Sequence, residues 1–323
     1  MIAGPSGCGK STLAGCINGL NPFSNPGECS GELIVDGVDA PKSSIFQLSA
    51  HVGTVLQDPD GQFIGLTVGE DIAFALENSC TPQDKMHEIT KHAAELGMNS
   101  LAITDHGVMY GVIDFYEAAR SNGIKPIIGC EIYVSPGSRF DKEKQSGEGK
   151  YNHLILLAEN NQGYQNLMKI VSIGFTEGFY YKPRVDYEIL EKYHEGIIAT
   201  SACLAGIIPR TLTMGMYDDA VKEAIRLRDI FGENNFFLEL QDHGIAAQKQ
   251  VNRQLIKMSD ETGIPLICTN DVHYTYKEDA DAHDILLCIQ TQTTVNDENR
   301  MRYPGGQYYL KSPEEMADLF DYV

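Results

Sequence analysis

Residues 100–107 read Ser100-Leu101-Ala102-Ile103-Thr104-Asp105-His106-Gly107, a short apolar run followed by an acid, a histidine and a glycine. A helical pattern follows over residues 111–122, and a second apolar run follows over residues 126–134. Strands that alternate with helices in this way predict a parallel sheet or a β/α barrel. The alternation continues with predicted strands at 154–158, 196–200, 235–240 and 265–269, and predicted helices at 161–172, 217–231 and 247–262.

The composition allows a large core and argues against one class of partner. The chain has 323 residues and is 42% hydrophobic, which is enough for two ordinary domains or one large α/β domain without disulfide or metal staples. Acidic residues outnumber basic ones by 45 to 25, so the net charge is −20. This balance argues against a broad phosphate-binding face but not against a small site whose metal ions supply positive charge.

Cysteine spacing and hydropathy favour a cytoplasmic protein. None of the eight cysteines forms a CxxC pair, which argues against a zinc ribbon and a thioredoxin motif. The sequence has no apolar run of about 18 residues, so no transmembrane helix is expected. A basic stretch followed by an apolar core is also missing at the N-terminus, so no signal peptide is expected.

Metal-binding side chains lie at the predicted strand ends. The candidate ligands are His106, Glu131, His153, Cys203, Asp271 and His273, and Asp105 and His243 are candidate site-lining residues. Carboxyl ends of parallel strands meet, and alternation along a strand predicts that Asp271 and His273 share a face. Imidazole, carboxylate and thiolate ligands suit Zn²⁺, Mn²⁺ or Fe²⁺ better than Ca²⁺ and could support phosphoester hydrolysis.

Several of these residue types also have plainer interpretations. A cysteine such as Cys203 taken alone is more often a small core residue, and His194 and His283 are assigned to surface or helix packing. The aromatic and basic run at residues 179–184 could stack bases or contact a phosphate backbone, or be an ordinary exposed loop.

A second motif stands near the N-terminus and reads Gly4-Pro5-Ser6-Gly7-Cys8-Gly9-Lys10-Ser11-Thr12. It fits the GxxxxGK[ST] phosphate loop, in which backbone N–H groups wrap a phosphate, the lysine reaches the terminal phosphates and the hydroxyl holds Mg²⁺. The candidate nucleotide-binding residues are Gly4, Ser6, Gly7, Cys8, Gly9, Lys10, Ser11 and Thr12.

Residues 1–90 resemble an ABC transporter ATPase of the energy-coupling-factor branch. The likeness rests on the phosphate loop, on GELIVDG at residues 31–37 and on VLQDPDGQF at residues 55–63. It implies ATP and Mg²⁺ as ligands, Gln57 near Mg²⁺ and the attacking water, and transporter subunits as partners. The sequence has no LSGGQ-like signature, no Walker B carboxylates and no switch histidine. Hydrolysis of ATP by this part alone is therefore not expected.

From about residue 93 the sequence resembles the PHP (polymerase and histidinol phosphatase) domain of bacterial DNA polymerase III alpha subunits. The matching segments are 101–107 (LAITDHG), 124–131 (IKPIIGCE), 151–154 (YNHL), 178–184 (GFYYKPR), 201–204 (SACL), 239–244 (ELQDHG) and 269–274 (TNDVHY). The resemblance implies a distorted β/α barrel, bound Zn²⁺ or Mn²⁺, and a 3′→5′ exonuclease-type phosphoesterase site. Its partners would be the remaining domains and subunits of the replicative polymerase, with DNA contacted indirectly.

One family feature is missing. PHP domains open with a strand that carries a His-x-His motif, and no His-x-His occurs in this sequence. The family is that of a nucleotidyltransferase, but the chain ends before the polymerase palm, so polymerisation by this chain alone is not expected. Loss of two imidazoles is expected to weaken or abolish at least one metal position.

These features together predict a chimera of α/β class. A partial P-loop NTPase fragment (residues 1–90) precedes a PHP-type distorted β/α barrel that lacks its first strand (residues 91–323), with the join around residues 86–96. The function predicted is that of the PHP portion of a DNA polymerase III alpha subunit, with impaired activity. The alternatives are the ATP-binding module of an importer and an inactive scaffold.

Overall fold

The computed structural model describes residues 8–23, 30–44, 47–48, 51–52, 83–142 and 151–323. The chain divides into two compact units, Met1–Cys80 and Thr81–Val323. Among the described residues, no helix is long and apolar enough to cross a membrane.

The described part of the first unit includes two short α-helices, one hairpin and a 3₁₀ helix at Ala40–Lys42. Helix α1 (Lys10–Ile17) follows Gly9, and α2 (Leu20–Phe23) follows α1. Strands β1 (Ile34–Val35) and β2 (Val38–Asp39) pair antiparallel. The turn between them places Asp36 at φ 48° and Gly37 at φ 81°, which suits a two-residue Asp-Gly hairpin turn.

The second unit contains nine described α-helices and seven strands. Its helices are α3 (Gln83–Glu95), α4 (Val112–Ser121), α5 (Asn161–Thr176), α6 (Tyr187–Tyr193), α7 (Ile207–Thr213), α8 (Tyr217–Phe231), α9 (Ala246–Thr262), α10 (Ala280–Gln290) and α11 (Pro313–Leu319). Its strands are β3 (Ser100–Ile103), β4 (Lys125–Val134), β5 (Asn152–Ala158), β6 (Arg184–Val185), β7 (Ile197–Thr200), β8 (Phe236–Leu240) and β9 (Leu266–Cys268).

The seven strands form one sheet in the order β3-β4-β5-β7-β8-β9, with β6 beside β4. Strand β5 runs antiparallel to both of its neighbours, whereas every other pair is parallel. Within the described residues, β3 is the first strand of the unit and pairs only with β4. The predicted α/β fold is confirmed, and the reversed β5 distorts the barrel.

Alternation on β5 shows how the sheet buries its core. Leu154 and Leu156 on this strand are buried, while the residues between them are half-buried. They pack in one apolar cluster with Leu167 of α5 and Phe236 of β8, both fully buried. Burial of such side chains contributes about 1.5–3 kcal/mol each, and it holds the strand ends in fixed positions.

Candidate metal centre

Three of the predicted ligands lie on two nearby rungs of the sheet. The parallel register of β3 and β4 continues past the end of β3, where His106 bridges to Glu131. Two backbone hydrogen bonds fix this rung, from Gly107 N to Glu131 O at 2.9 Å and from Glu131 N to Asp105 O at 3.0 Å. On the other side, β5 pairs His153 with Tyr133, two residues along β4 from Glu131, so His153 and Glu131 share a face.

The reversed strand explains why His153 reaches this site. Because β5 runs antiparallel to β4, its N-terminal end lies beside the C-terminal end of β4. The sequence predicted a strand at 154–158 with His153 at its edge, whereas β5 begins at Asn152 and includes His153. The histidine is therefore held by the ladder itself.

The ligand atoms of these three residues converge. One atom from each of His106, Glu131 and His153 lies within 4.8 Å of the others. Nε2 of His106 is 3.5 Å from Oε1 of Glu131, and Nδ1 of His153 contacts the same oxygen.

A divalent metal ion fits this donor set. Oε1 of Glu131 is buried and has no partner with hydrogen-bond geometry among the described residues. A buried carboxylate beside two imidazoles is a donor set that divalent cations use, and a cation bound between them would neutralise the buried charge.

The other three predicted ligands surround this trio. Sγ of Cys203 lies 3.6 Å from Nδ1 of His153. The ring of His273 is centred 6.2 Å from the ring of His106, and its Nδ1 is 3.8 Å from Oδ1 of Asp271. The structure thus brings all six residues to one end of the sheet.

Strand alternation, however, is the wrong reason for the proximity of Asp271 and His273. Strand β9 ends at Cys268, so neither residue lies on a strand. Asp271 has φ 45°, in the left-handed region, and its carbonyl oxygen lies 2.7 Å from Nδ1 of His273. A tight turn, which aspartate tolerates better than most residues, brings the two side chains together.

A buried asparagine fixes that turn from the residue before Asp271. The Asn270 amide donates to the backbone oxygens of Gln307 at 2.9 Å and Tyr309 at 2.7 Å. Its Oδ1 accepts from Nζ of the buried Lys311 at 3.1 Å, and its carbonyl accepts from Nε2 of His243 at 3.0 Å. Every polar group of this side chain is therefore engaged.

The two predicted site-lining residues make hydrogen bonds with residues at or next to the candidate ligands. His243 also accepts from Nε2 of Gln248 at 2.8 Å and stacks on Tyr308 with a centroid distance of 3.8 Å, so both of its ring nitrogens are occupied. The backbone carbonyl oxygen of Asp105 accepts a hydrogen bond from the backbone N–H of Glu131. Burial raises the pKa of the Asp105 carboxyl group.

The electrostatics of the metal-free centre favour the neutral forms of Cys203, Asp271 and His106 and the charged form of Glu131. Burial, followed by the charge of Glu131, raises the pKa of the Cys203 thiol. Burial also raises the pKa of Asp271 to about 6. Burial lowers the pKa of His106, and the charge of Lys182 acts in the same direction. Burial alone would raise the pKa of Glu131, but the neighbouring His153 and His106 outweigh this effect, so the pKa of Glu131 is lowered. Each shift follows from desolvation or nearby charge.

An aromatic wall around the centre was not predicted. Tyr133 lies 5.3 Å from the ring of His153, and Tyr303 lies 4.7 Å from the ring of His273. His283 of α10, which the sequence assigned to packing, is centred 5.4 Å from His273. Tyr303 is far in sequence from the predicted strands, and the aromatic density at residues 303–309 is the signal that could have indicated it.

The predicted nucleotide-binding residues lie in the other unit and are partly described. Helix α1 begins at Lys10, directly after Gly9 at φ 91°, so a glycine turn leads into a helix N-terminus at Ser11 and Thr12. Nζ of Lys10 lies 3.6 Å from Sγ of Cys8. Gly4, Ser6, Gly7 and Gln57 lie outside the described residues.

Two family models match the chain. The PHP domain model matches residues 77–243, and the ABC transporter model matches residues 1–110. The matches overlap at residues 77–110, a range that includes the join predicted around residues 86–96. Both resemblances predicted from the sequence are confirmed.

Curated relatives match over the second unit. DNA polymerase III subunit alpha of Borreliella burgdorferi is 49% identical over 238 residues, which is 73% of this chain and 21% of that protein. The subunit of Treponema pallidum is 47% identical over 235 residues, which is 73% of this chain and 20% of that protein. The chain thus spans about a fifth of the length of these relatives.

A solved structure from Bifidobacterium adolescentis, described in terms of a metal-dependent phosphoesterase, is a remote likeness. It aligns with a TM-score of 0.36 and 12% identity over 58% of this chain and 82% of that chain. The family assignment therefore rests on sequence: the PHP model covers more than half of the chain, and the chain belongs to the PHP domain family.

Proposed function

We propose that the second unit is a metal-dependent phosphoesterase-type module of the kind found in DNA polymerase III alpha subunits. The observation that carries this proposal is the convergence of His106 and His153 on the buried Oε1 of Glu131. Imidazole and carboxylate donors with a nearby thiol favour Zn²⁺ or Mn²⁺.

His106, Glu131 and His153 would hold the ion, with Cys203, Asp271 and His273 as further ligands. A bound ion would supply a Lewis acid and an activated water for attack on a phosphoester. The chain itself supplies fixed donors, since Glu131 is held by rungs on both sides, and the aromatic rings of Tyr133 and Tyr303 lie beside the histidines of the centre.

We propose that activity is weak. The sequence has no His-x-His motif, so two imidazoles that PHP domains place on their first strand are missing from the donor set. A site that lacks ligands binds its metal less tightly. An exonuclease-type activity below that of complete PHP domains is therefore expected, and an inactive scaffold is the limiting case.

Metal analysis of the full chain tests this proposal. After dialysis against Mn²⁺ or Zn²⁺, the wild-type chain is expected to retain metal, and His153→Ala is expected to retain at least about tenfold less. His194→Ala, which alters an exposed histidine outside the centre, is the matched control and should behave as wild type. Equal metal content in wild type and His153→Ala would refute the proposal.

The cellular context is proposed from the same relatives. We place the module in the cytoplasm, within a replicative polymerase whose remaining domains and subunits would be its partners, with DNA contacted indirectly. We keep residues 1–90 and 91–323 as the proposed domains.

A second function is supported for the first unit. The ABC transporter match and the glycine turn that leads into α1 at Lys10 favour binding of ATP with Mg²⁺, with transporter subunits as partners under this alternative. Titration of the full chain with ATP and Mg²⁺ is expected to give binding that Lys10→Ala removes. Equal binding by both proteins would exclude a phosphate-loop site.

A further inference from the structure

The loop between α5 and β6 has a fixed shape next to the candidate metal centre. Arg184, which is buried, donates to the backbone oxygens of Gly178 at 3.2 Å, Arg139 at 3.3 Å and Asp141 at 2.8 Å. A Cβ at Gly178 would lie 1.8 Å from the Arg184 carbonyl oxygen, so a side chain does not fit there. The loop is therefore anchored at both ends.

A strained turn inside this loop directs Lys182 to the centre. Tyr181 has φ 61°, a conformation that bulky residues rarely adopt, and Tyr180 N donates to Lys182 O at 3.1 Å across the turn. Pro183 packs against Gly107, where a Cβ would lie 3.0 Å from its Cγ. Strain held by surrounding packing is a feature of functional sites.

The side chain of Lys182 is exposed, and its ammonium group lies over the ring of Tyr133, which neighbours the candidate ligands His106 and His153. Its Nζ is 5.6 Å from the ring centre of Tyr133, whose ring lies 5.3 Å from that of His153 and 6.4 Å from that of His106. Among the described residues, no carboxylate lies within ion-pair distance of this Nζ. In a chain of net charge −20, a lysine without an acidic partner beside such a centre is available to an anion.

Building on the proposed function, we propose that Lys182 binds an anionic phosphate oxygen of the phosphoester at the metal centre. An ammonium offers three donors and a point charge, which suits a phosphate oxygen. The acidic surface would otherwise repel this substrate, so Lys182 acts as a substrate-binding residue that admits phosphoesters to the site.

Titration with inorganic phosphate tests this role in the full chain. Phosphate is titrated calorimetrically into the wild type and into Lys182→Gln, Lys182→Arg and Lys192→Gln, each without metal and with equimolar Mn²⁺. Lys182→Gln is expected to weaken phosphate binding at least about tenfold, because a charge-assisted hydrogen bond is lost. Lys182→Arg should stay within about threefold of wild type because it keeps the charge.

Lys192 is the matched control because its Nζ also lies over a tyrosine ring, 5.2 Å from that of Tyr193, but on α6. Unchanged phosphate binding in Lys182→Gln, an equal loss in Lys192→Gln, or no binding by the wild type would each overturn the inference. A wild type that binds phosphate through Lys182 but takes up no Mn²⁺ would refute the proposed function and reduce the inference to phosphate binding by Lys182 alone. Mn²⁺ uptake with phosphate binding insensitive to Lys182→Gln would refute the inference alone.

Discussion

The two halves of the candidate centre are held in different ways. His106, Glu131 and His153 lie on rungs of the sheet, where backbone hydrogen bonds to neighbouring strands fix them. Cys203 and Asp271 follow strand ends in turns that use non-glycine residues in the left-handed region, at Ala202 with φ 60° and at Asp271 with φ 45°. We call these the ladder half and the turn half.

The ladder half and the turn half are therefore expected to be sensitive to different substitutions. A ladder is set by register, so the ladder half depends on the strands packing at the right distance. A turn has no register, so the turn half depends on side chains that hold it, above all Asn270 with its partners Lys311 and His243. Two substitutions, one in each half, separate these two dependences.

The largest effect is expected from Gly129→Ala, which breaks the ladder half. Gly129 lies where β4 changes from parallel pairing with β3 to antiparallel pairing with β5. A Cβ there would lie 2.6 Å from Leu156 O and 3.0 Å from Ile103 O, both backbone atoms on neighbouring strands. We expect a loss of at least about 3 kcal/mol in unfolding free energy, with loss of metal uptake, by circular dichroism melts and metal analysis.

Gly215→Ala provides the comparison for this variant. A Cβ at Gly215 meets nothing within 4 Å, and φ 77° is the one source of strain. Gly215→Ala should lower the free energy of unfolding by about 1–2 kcal/mol and leave metal uptake unchanged. Equal losses in both variants would mean that the approach of three strands at Gly129 has no special importance.

The next effect is expected from Asn270→Ala, which breaks the turn half. The substitution leaves Lys311 Nζ and the backbone oxygens of Gln307 and Tyr309 without this buried partner. We expect a loss of about 2–3 kcal/mol in stability and about tenfold in Mn²⁺ affinity. Amide hydrogen exchange of Glu131 and Gly107 in the ladder half should stay slow once the global loss is subtracted.

Lys311→Met sharpens this test. It removes one donor from the same asparagine and keeps a long apolar side chain in place, so a smaller loss of Mn²⁺ affinity is expected. If Asn270→Ala accelerated amide hydrogen exchange equally in β3, β4 and β5, the turn half and the ladder half would not be stabilised independently of each other.

The sequence predicted the ladder half better than the turn half for a physical reason. Apolar runs mark strands, so β4 and β8 were found. The end of the first run pointed to His106, and Glu131 lies within β4 itself. Strand direction is set by the connection, and the long segment before β5 carried no signal that this strand is reversed. The left-handed turn at Asp271 depends on contacts from Gln307, Tyr309 and Lys311, which lie about 40 residues away and cannot be seen in a local pattern.

The smallest effect, and one of opposite sign, is expected from Asp271→Asn in the metal-free chain. Burial raises the pKa of Asp271 to about 6. Between about pH 4 and pH 6 the folded chain therefore holds a proton that the unfolded chain has released, so stability from this group falls as the pH rises through that window. At pH 7 the buried charge destabilises the fold.

Asparagine removes that charge and also tolerates the left-handed turn, so the variant should be more stable than wild type at pH 7 by roughly 1–3 kcal/mol. The advantage should disappear below about pH 4, where Asp271 is neutral in both states. Added Mn²⁺ should reverse the order, because the wild-type carboxylate gains a cation and asparagine does not. A metal-free variant less stable than wild type at pH 7 would mean that Asp271 supports the turn instead of waiting for a cation. Melts at pH 4 and 7, with and without Mn²⁺, decide between these outcomes.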